Sequence, residues 1–144
     1  MEFKNSKKLY SKAKNLVPGG VSSSIRQTEW PVPLFFEKAH GSKMWDVDGN
    51  IFIDYVMGMG PNIFGHAPEF VTQSVYEDMQ NGYCLTGQTE KENEISEFIQ
   101  KTIPFKRKVR YASSGTEIVQ VAIRLARSYT NKNKFLKFEG HYHG

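Results

Sequence analysis

Lys108-Val-Arg-Tyr-Ala112, followed at once by Ser113-Ser-Gly-Thr-Glu117, is the stretch that decides how the chain reads. The first five residues have the make-up of a short strand. Beyond them Ile118, Ala122, Leu125 and Tyr129 recur at helical spacing and predict an amphipathic helix. The order is therefore strand, tight turn, helix, with Ser113, Ser114, Gly115 and Thr116 at the turn. A helix start exposes unpaired backbone N–H groups and the positive end of the helix dipole. Gly115 lets a ligand approach the backbone, and the hydroxyls of Ser114 and Thr116 add donors. Such a seat suits a phosphate. The same residues also fit a capping box, with Ser114 as N-cap and Glu117 at the third helical position.

Downstream, Lys134-Phe-Leu-Lys-Phe138 reads as the next strand, and Gly140-His-Tyr-His-Gly144 follows it. Strand, helix, strand is a βαβ unit, which implies a parallel sheet with a right-handed crossover. Ligands in such sheets sit at the carboxyl ends of the strands. Both the serine turn and the 140–144 stretch follow strand ends, so they are expected to face one site. Tyr142 can stack on a planar ring there, or it is simply a tyrosine at a strand end.

Upstream, Asn5 or Ser6 is expected to cap a first amphipathic helix, with Leu9, Ala13, Leu16 and Val17 on its apolar side and Pro18-Gly-Gly20 ending it. Residues 21–33 read as a loop that carries Arg26. A loop arginine is usually solvated; its alternative use is to clamp a carboxylate bidentately. Leu34-Phe-Phe36 and Ser42-Lys-Met-Trp-Asp-Val47 read as strands. Asp48-Gly49-Asn50 is a turn, and Ile51-Phe-Ile-Asp-Tyr55 is the returning strand of a small antiparallel unit. Gly58-Met-Gly-Pro-Asn-Ile-Phe-Gly-His66 is glycine-rich but lacks P-loop spacing, and its glycines suggest backbone passing close to a ligand or another subunit. Pro68 opens a helix to about Asn81-Gly82. Thr89 and Glu92 fit a second capping box before a helix that Pro104 stops.

The 144 residues suffice for a domain with a real core, and 39% hydrophobic with 13% aromatic residues is a globular composition. The net charge of +4 is scattered, which argues against nucleic-acid binding. No apolar run approaches a membrane span, Cys84 is the one cysteine, and the lysine-rich N-terminus has no apolar signal region; cytoplasm is the expected compartment. His141 and His143 alternate, but His40, His66 and Cys84 do not complete a zinc spacing, so no metal is expected.

Seven segments in this order together carry a family pattern: Pro18-Gly-Gly-Val21, Trp45-Asp-Val-Asp-Gly-Asn50, Ile53-Asp-Tyr55, Gly65-His-Ala-Pro68, Ser114-Gly-Thr-Glu117, Ala122-Ile-Arg-Leu-Ala-Arg127 and Phe138-Glu-Gly-His-Tyr-His-Gly144. The chain resembles the class III pyridoxal-phosphate-dependent aminotransferases, closest to the glutamate-1-semialdehyde 2,1-aminomutases. The resemblance implies an α/β fold, part of a fold-type I transferase. Residues 1–67 would form an N-terminal segment with a helix and a β-hairpin. Residues 68–144 would begin a mainly parallel-sheet domain for pyridoxal 5'-phosphate (PLP). It implies cofactor binding by Ser114, Gly115 and Thr116 at the phosphate, Tyr142 on the ring and His143 beside it. It places Arg26 at the substrate carboxylate, although Ser22-Ser-Ser-Ile-Arg26 departs from the usual Asn-Ser-Pro-Val-Arg pattern.

The resemblance also implies a Schiff-base lysine and a pyridine-nitrogen aspartate that match no residue here, so no catalytic residue is assigned in this chain. The expected protein is the N-terminal part of a homodimeric aminotransferase or aminomutase acting on an amino acid or a semialdehyde, without nucleic-acid or membrane partners. The alternative is a non-catalytic PLP- or phosphate-binding or assembly fragment.

Overall fold

The computed structural model describes residues 1–103 and 108–142 and divides into two compact units, Met1–Cys84 and Leu85–Gly144. The first opens with α1 (Lys4–Ala13) and carries β1 (Phe36–His40), β2 (Lys43–Asp46) and β3 (Ile51–Ile53), then α2 (Glu69–Gln80). The strands form an antiparallel sheet in the order β1-β2-β3. A two-residue turn at Gly41-Ser42 joins β1 to β2, and a register shift between Phe36 and Lys38 bends the first strand. The expected antiparallel unit is therefore present, and it has three strands rather than a simple hairpin.

The Asp-Gly turn is built around Asp46, which is 1% exposed. One of its carboxylate oxygens accepts from the backbone of Asp48 (3.0 Å) and Asn50 (2.7 Å), and the other from the Asn50 side-chain amide (2.8 Å). Gly49, at φ 81°, supplies the left-handed residue that closes the turn. The buried carboxylate thus has its acceptor capacity used by the loop that it organises.

The start of α1 corrects the expected cap. Neither Asn5 nor Ser6 is the N-cap; Phe3 holds that position and offers no side-chain cap. Asp48, at the tip of the sheet turn, does the work instead. Its carboxylate accepts from the Asn5 N–H (2.6 Å), the Ser6 N–H (2.9 Å) and the Ser6 hydroxyl (2.7 Å). A negative charge at a helix N-terminus satisfies orphan donors and opposes the dipole favourably. The Asn50 amide donates to the Glu2 carbonyl (2.7 Å) and the Asn5 amide to the Val47 carbonyl (3.2 Å), which completes the attachment of α1 to the turn.

The second unit contains α3 (Glu90–Thr102) and α4 (Gly115–Thr130). Thr89 is the N-cap of α3 as expected, but its hydroxyl makes no cap bond, so the second capping box is not formed. Pro104, the expected stop of this helix, lies outside the described residues. The two strands expected at 108–112 and 134–138 are not strands here: neither pairs with another segment among the described residues. A strand is defined by a neighbour that takes its N–H and C=O groups, and no parallel neighbour lies within these residues. The two segments are held by side chains instead. Tyr111 packs its hydroxyl on Ser96, and Arg127 donates to the Asn133 carbonyl (2.8 Å) while lying over the Phe135 ring.

The apolar face expected on α4 is only partly covered. Ile118 is half-buried together with Val119, Val121 and Ile123, whereas Leu125 and Tyr129 are 69% and 88% exposed.

Candidate functional site

The turn before α4 is where the expected anion seat falls. Ser114 is the N-cap, in an extended conformation, and its hydroxyl oxygen accepts from the Glu117 N–H (3.2 Å). Glu117 returns a carboxylate oxygen to the N–H of Ser113 (3.0 Å), one residue earlier than the standard box. The capping reading is therefore realised. It leaves the seat available: among the described residues, no protein acceptor takes the N–H groups of Gly115 and Thr116 or the Thr116 hydroxyl. A methyl group built on Gly115 would meet nothing within 4 Å, so the approach is open. Two amide donors, the hydroxyl of Thr116 and the hydroxyl proton of Ser114 form a donor set that suits a phosphate at the start of a 16-residue helix.

The segment leading into the seat is positioned by α3. The Ser96 hydroxyl donates to the Glu92 carbonyl (2.6 Å), which leaves its oxygen to accept from the Tyr111 hydroxyl (2.9 Å). A groove of about 360 Å³ opens beside this contact, lined by Glu92, Ser96, Arg110 and Tyr111 among others. No local sequence pattern signals the Ser96–Tyr111 contact, because the two residues lie on elements whose approach depends on packing.

Tyr142, in the same unit, is 91% exposed, and next to it the His141 ring lies 5.6 Å from that of Phe138. His143 lies outside the described residues. Arg26 belongs to the first unit. It sits in a 3₁₀ turn, Ser24–Thr28, exposed, with its backbone N–H bonded to the Ser23 carbonyl (3.0 Å) and no ion-pair partner among the described residues. Cys84 is exposed, and no group of three His, Cys, Asp or Glu side chains converges among the described residues.

One polar pair went unread in the sequence. His66 Nε2 lies 2.7 Å from Asp54 Oδ2, and the other carboxylate oxygen accepts from the N–H groups of Val56 (2.8 Å) and Met57 (3.0 Å). The available signal was an aspartate closing a strand and a histidine closing the glycine-rich loop that follows. These backbone bonds and the imidazole hold the Asp54 carboxyl below its ordinary range.

The sequence model of the class-III aminotransferases matches residues 24–144. The chain belongs to that family. The class-III chain is 42% identical over 140 residues to a glutamate-1-semialdehyde 2,1-aminomutase from Saccharolobus islandicus (strain L.S.2.15 / Lassen #1), a match that covers 97% of this chain and 33% of the relative. It is also similar to two solved structures. One is an omega-transaminase from Sphaerobacter thermophilus, at 31% identity and a TM-score of 0.89 over 96% of this chain and 32% of that one. The other is a transaminase with PLP bound, at 32% identity and a TM-score of 0.91 over 100% of this chain and 34% of that one. The class-III chain thus spans about a third of the length of the relatives it matches. Its architecture is part of the fold-type I transferase fold, with the small antiparallel sheet as one local piece of it.

Proposed function

We propose that this chain takes part in PLP-dependent amino-group transfer, as the N-terminal part of an aminotransferase or aminomutase acting on an amino acid or a semialdehyde. The observation that carries this reading is the open N-terminus of α4, whose Gly115 and Thr116 donors are left unpaired by a cap that uses Ser113, Ser114 and Glu117. In this reading residues 1–67 form the N-terminal segment and residues 68–144 begin the cofactor domain.

Ser114, Gly115 and Thr116 hold the cofactor phosphate by short charge-assisted bonds. Tyr142 would stack on the pyridine ring, and His143 would support it. Arg26 receives the substrate carboxylate in a bidentate pair. When bound, PLP supplies the electron sink for bond breaking at the amino-bearing carbon. The residues of this chain bind and orient; they do not carry the proton. The working protein is a homodimer in the cytoplasm. No helix among the described residues is long and apolar enough to cross a membrane.

The test compares PLP with pyridoxal, which lacks the phosphate. T116V in the intact protein should weaken PLP binding about tenfold, the worth of one hydrogen bond to a charged group, and leave pyridoxal binding unchanged. Equal affinity of variant and parent for PLP would remove the phosphate seat from this turn.

A further inference from the structure

We propose that Asp54 and His66 form a clasp across the neck of the loop at 55–65, in which the imidazole fixes the start of the loop by aiming the Asp54 carboxylate at the amides of Val56 and Met57. The two residues are the last before the loop and the first after it. Asp54 is 4% and His66 18% exposed at the side chain, and their contact is 2.7 Å long. Both are also tied by backbone to the β1–β2 turn. The Asp54 N–H donates to the Ser42 carbonyl (2.8 Å), and His66 exchanges two bonds with Gly41 (2.8 and 2.9 Å). In the neutral tautomer whose Nε2–H donates to Asp54, the other ring nitrogen is an acceptor, and it faces the side-chain amide of Asn62, inside the loop, at 3.5 Å.

The loop needs holding. Among the described residues four non-glycine positions have positive φ, and three of them are Met57 (49°), Met59 (68°) and, just past the neck, Ala67 (50°). Such residues persist only where their surroundings over-determine them. The Asp54 carboxylate sits at the first of these: one oxygen takes the two amides that lead into Met57, while the other is pinned by His66. Without the imidazole the carboxylate is free to rotate away, and the effect appears at residues 56–57, nine to ten positions earlier in the chain.

The test is amide hydrogen exchange on the intact protein with two substitutions. H66F keeps an aromatic ring but removes the donor; H66Q keeps an amide donor that can reach Asp54. H66F should speed exchange at Val56 and Met57 about tenfold, as expected for local opening without one hydrogen bond to a charged group, while β1 and β2 amides stay within about twofold of the parent. H66Q should return Val56 and Met57 close to parent rates. Unchanged loop amides in H66F would overturn the proposal. So would a rise spread evenly over β1–β3, or an H66Q variant as fast as H66F.

Discussion

Asp48 ties the first turn of α1 to the sheet through three short bonds, to two backbone amides and one hydroxyl. Its desolvation pushes the carboxyl pKa up, but the Ser6 hydroxyl and the amides of Asn5, Ser6 and Lys4 outweigh it, and the net direction is below the ordinary 3.8. A depressed folded-state pKa gives stability that is present above 3.8 and lost as pH falls through the lower folded value. D48A in the intact protein should therefore lower Tm at neutral pH and flatten the fall of Tm on acidification below pH 4, measured by circular dichroism melts from pH 7 to pH 2. A parent and variant whose melting curves shift in parallel with pH would sink this account. Arg26 makes a separate prediction. If its guanidinium clamps the substrate carboxylate, R26A in the intact enzyme raises KM for amino-acid substrates roughly 10- to 100-fold, the worth of a charge-assisted pair. An unchanged KM removes the clamp.

At the scale of elements, two backbone positions carry predictions. Gly65 has φ 83°, and a methyl group there would lie 3.0 Å from the Gly41 carbonyl oxygen, where the loop returns to the sheet. G65A should cost about 1–3 kcal/mol in chemical denaturation, from left-handed strain plus a forced shift of the Gly41–His66 pairing. Asn131 closes α4 in the left-handed conformation at φ 53°. N131G should stabilise by about 0.5 kcal/mol, because glycine takes that conformation without a Cβ penalty; a destabilised N131G would show that the asparagine side chain matters there.

These elements also show what the sequence could and could not reveal. The Asp48-Gly49 turn, Pro68 ahead of α2 and the Ser114–Glu117 cap depend on residues a few positions apart, and they were legible. The cap on α1 was not, because its acceptor lies 42 residues on and only the folded turn delivers it. The strand readings at 108–112 and 134–138 met the composition of strands, but a ladder also needs a neighbour, which no local pattern encodes. At the site, the donors of Gly115 and Thr116 followed from helix geometry. The Ser96–Tyr111 and Asp54–His66 contacts depend on which surfaces meet.

Taken whole, the chain exposes 12917 Å². Two separately folded globules of the same masses would expose about 9,100 Å². That comparison holds whatever the arrangement of the two units. The surplus exceeds what one partner contributes to a standard protein interface, roughly 800 Å². It includes the outer face of α4 and the aromatic segment at 135–142. The 144 residues on their own should therefore bind hydrophobic dyes strongly and aggregate on warming, read by dye fluorescence and light scattering. A sharp, reversible thermal transition of a monomer would contradict this.

The attachment of α1 to Asp48 has a consequence for the order in which the protein is made. A helix of ten residues is marginal in water without its tertiary contacts. The acceptor for its first turn is synthesised more than forty residues later, so α1 waits, unfinished, for the Asp-Gly turn to emerge. A pause in translation before the Asp-Gly turn has emerged from the ribosome would leave α1 open to proteases, and a pause after β3 has emerged would not.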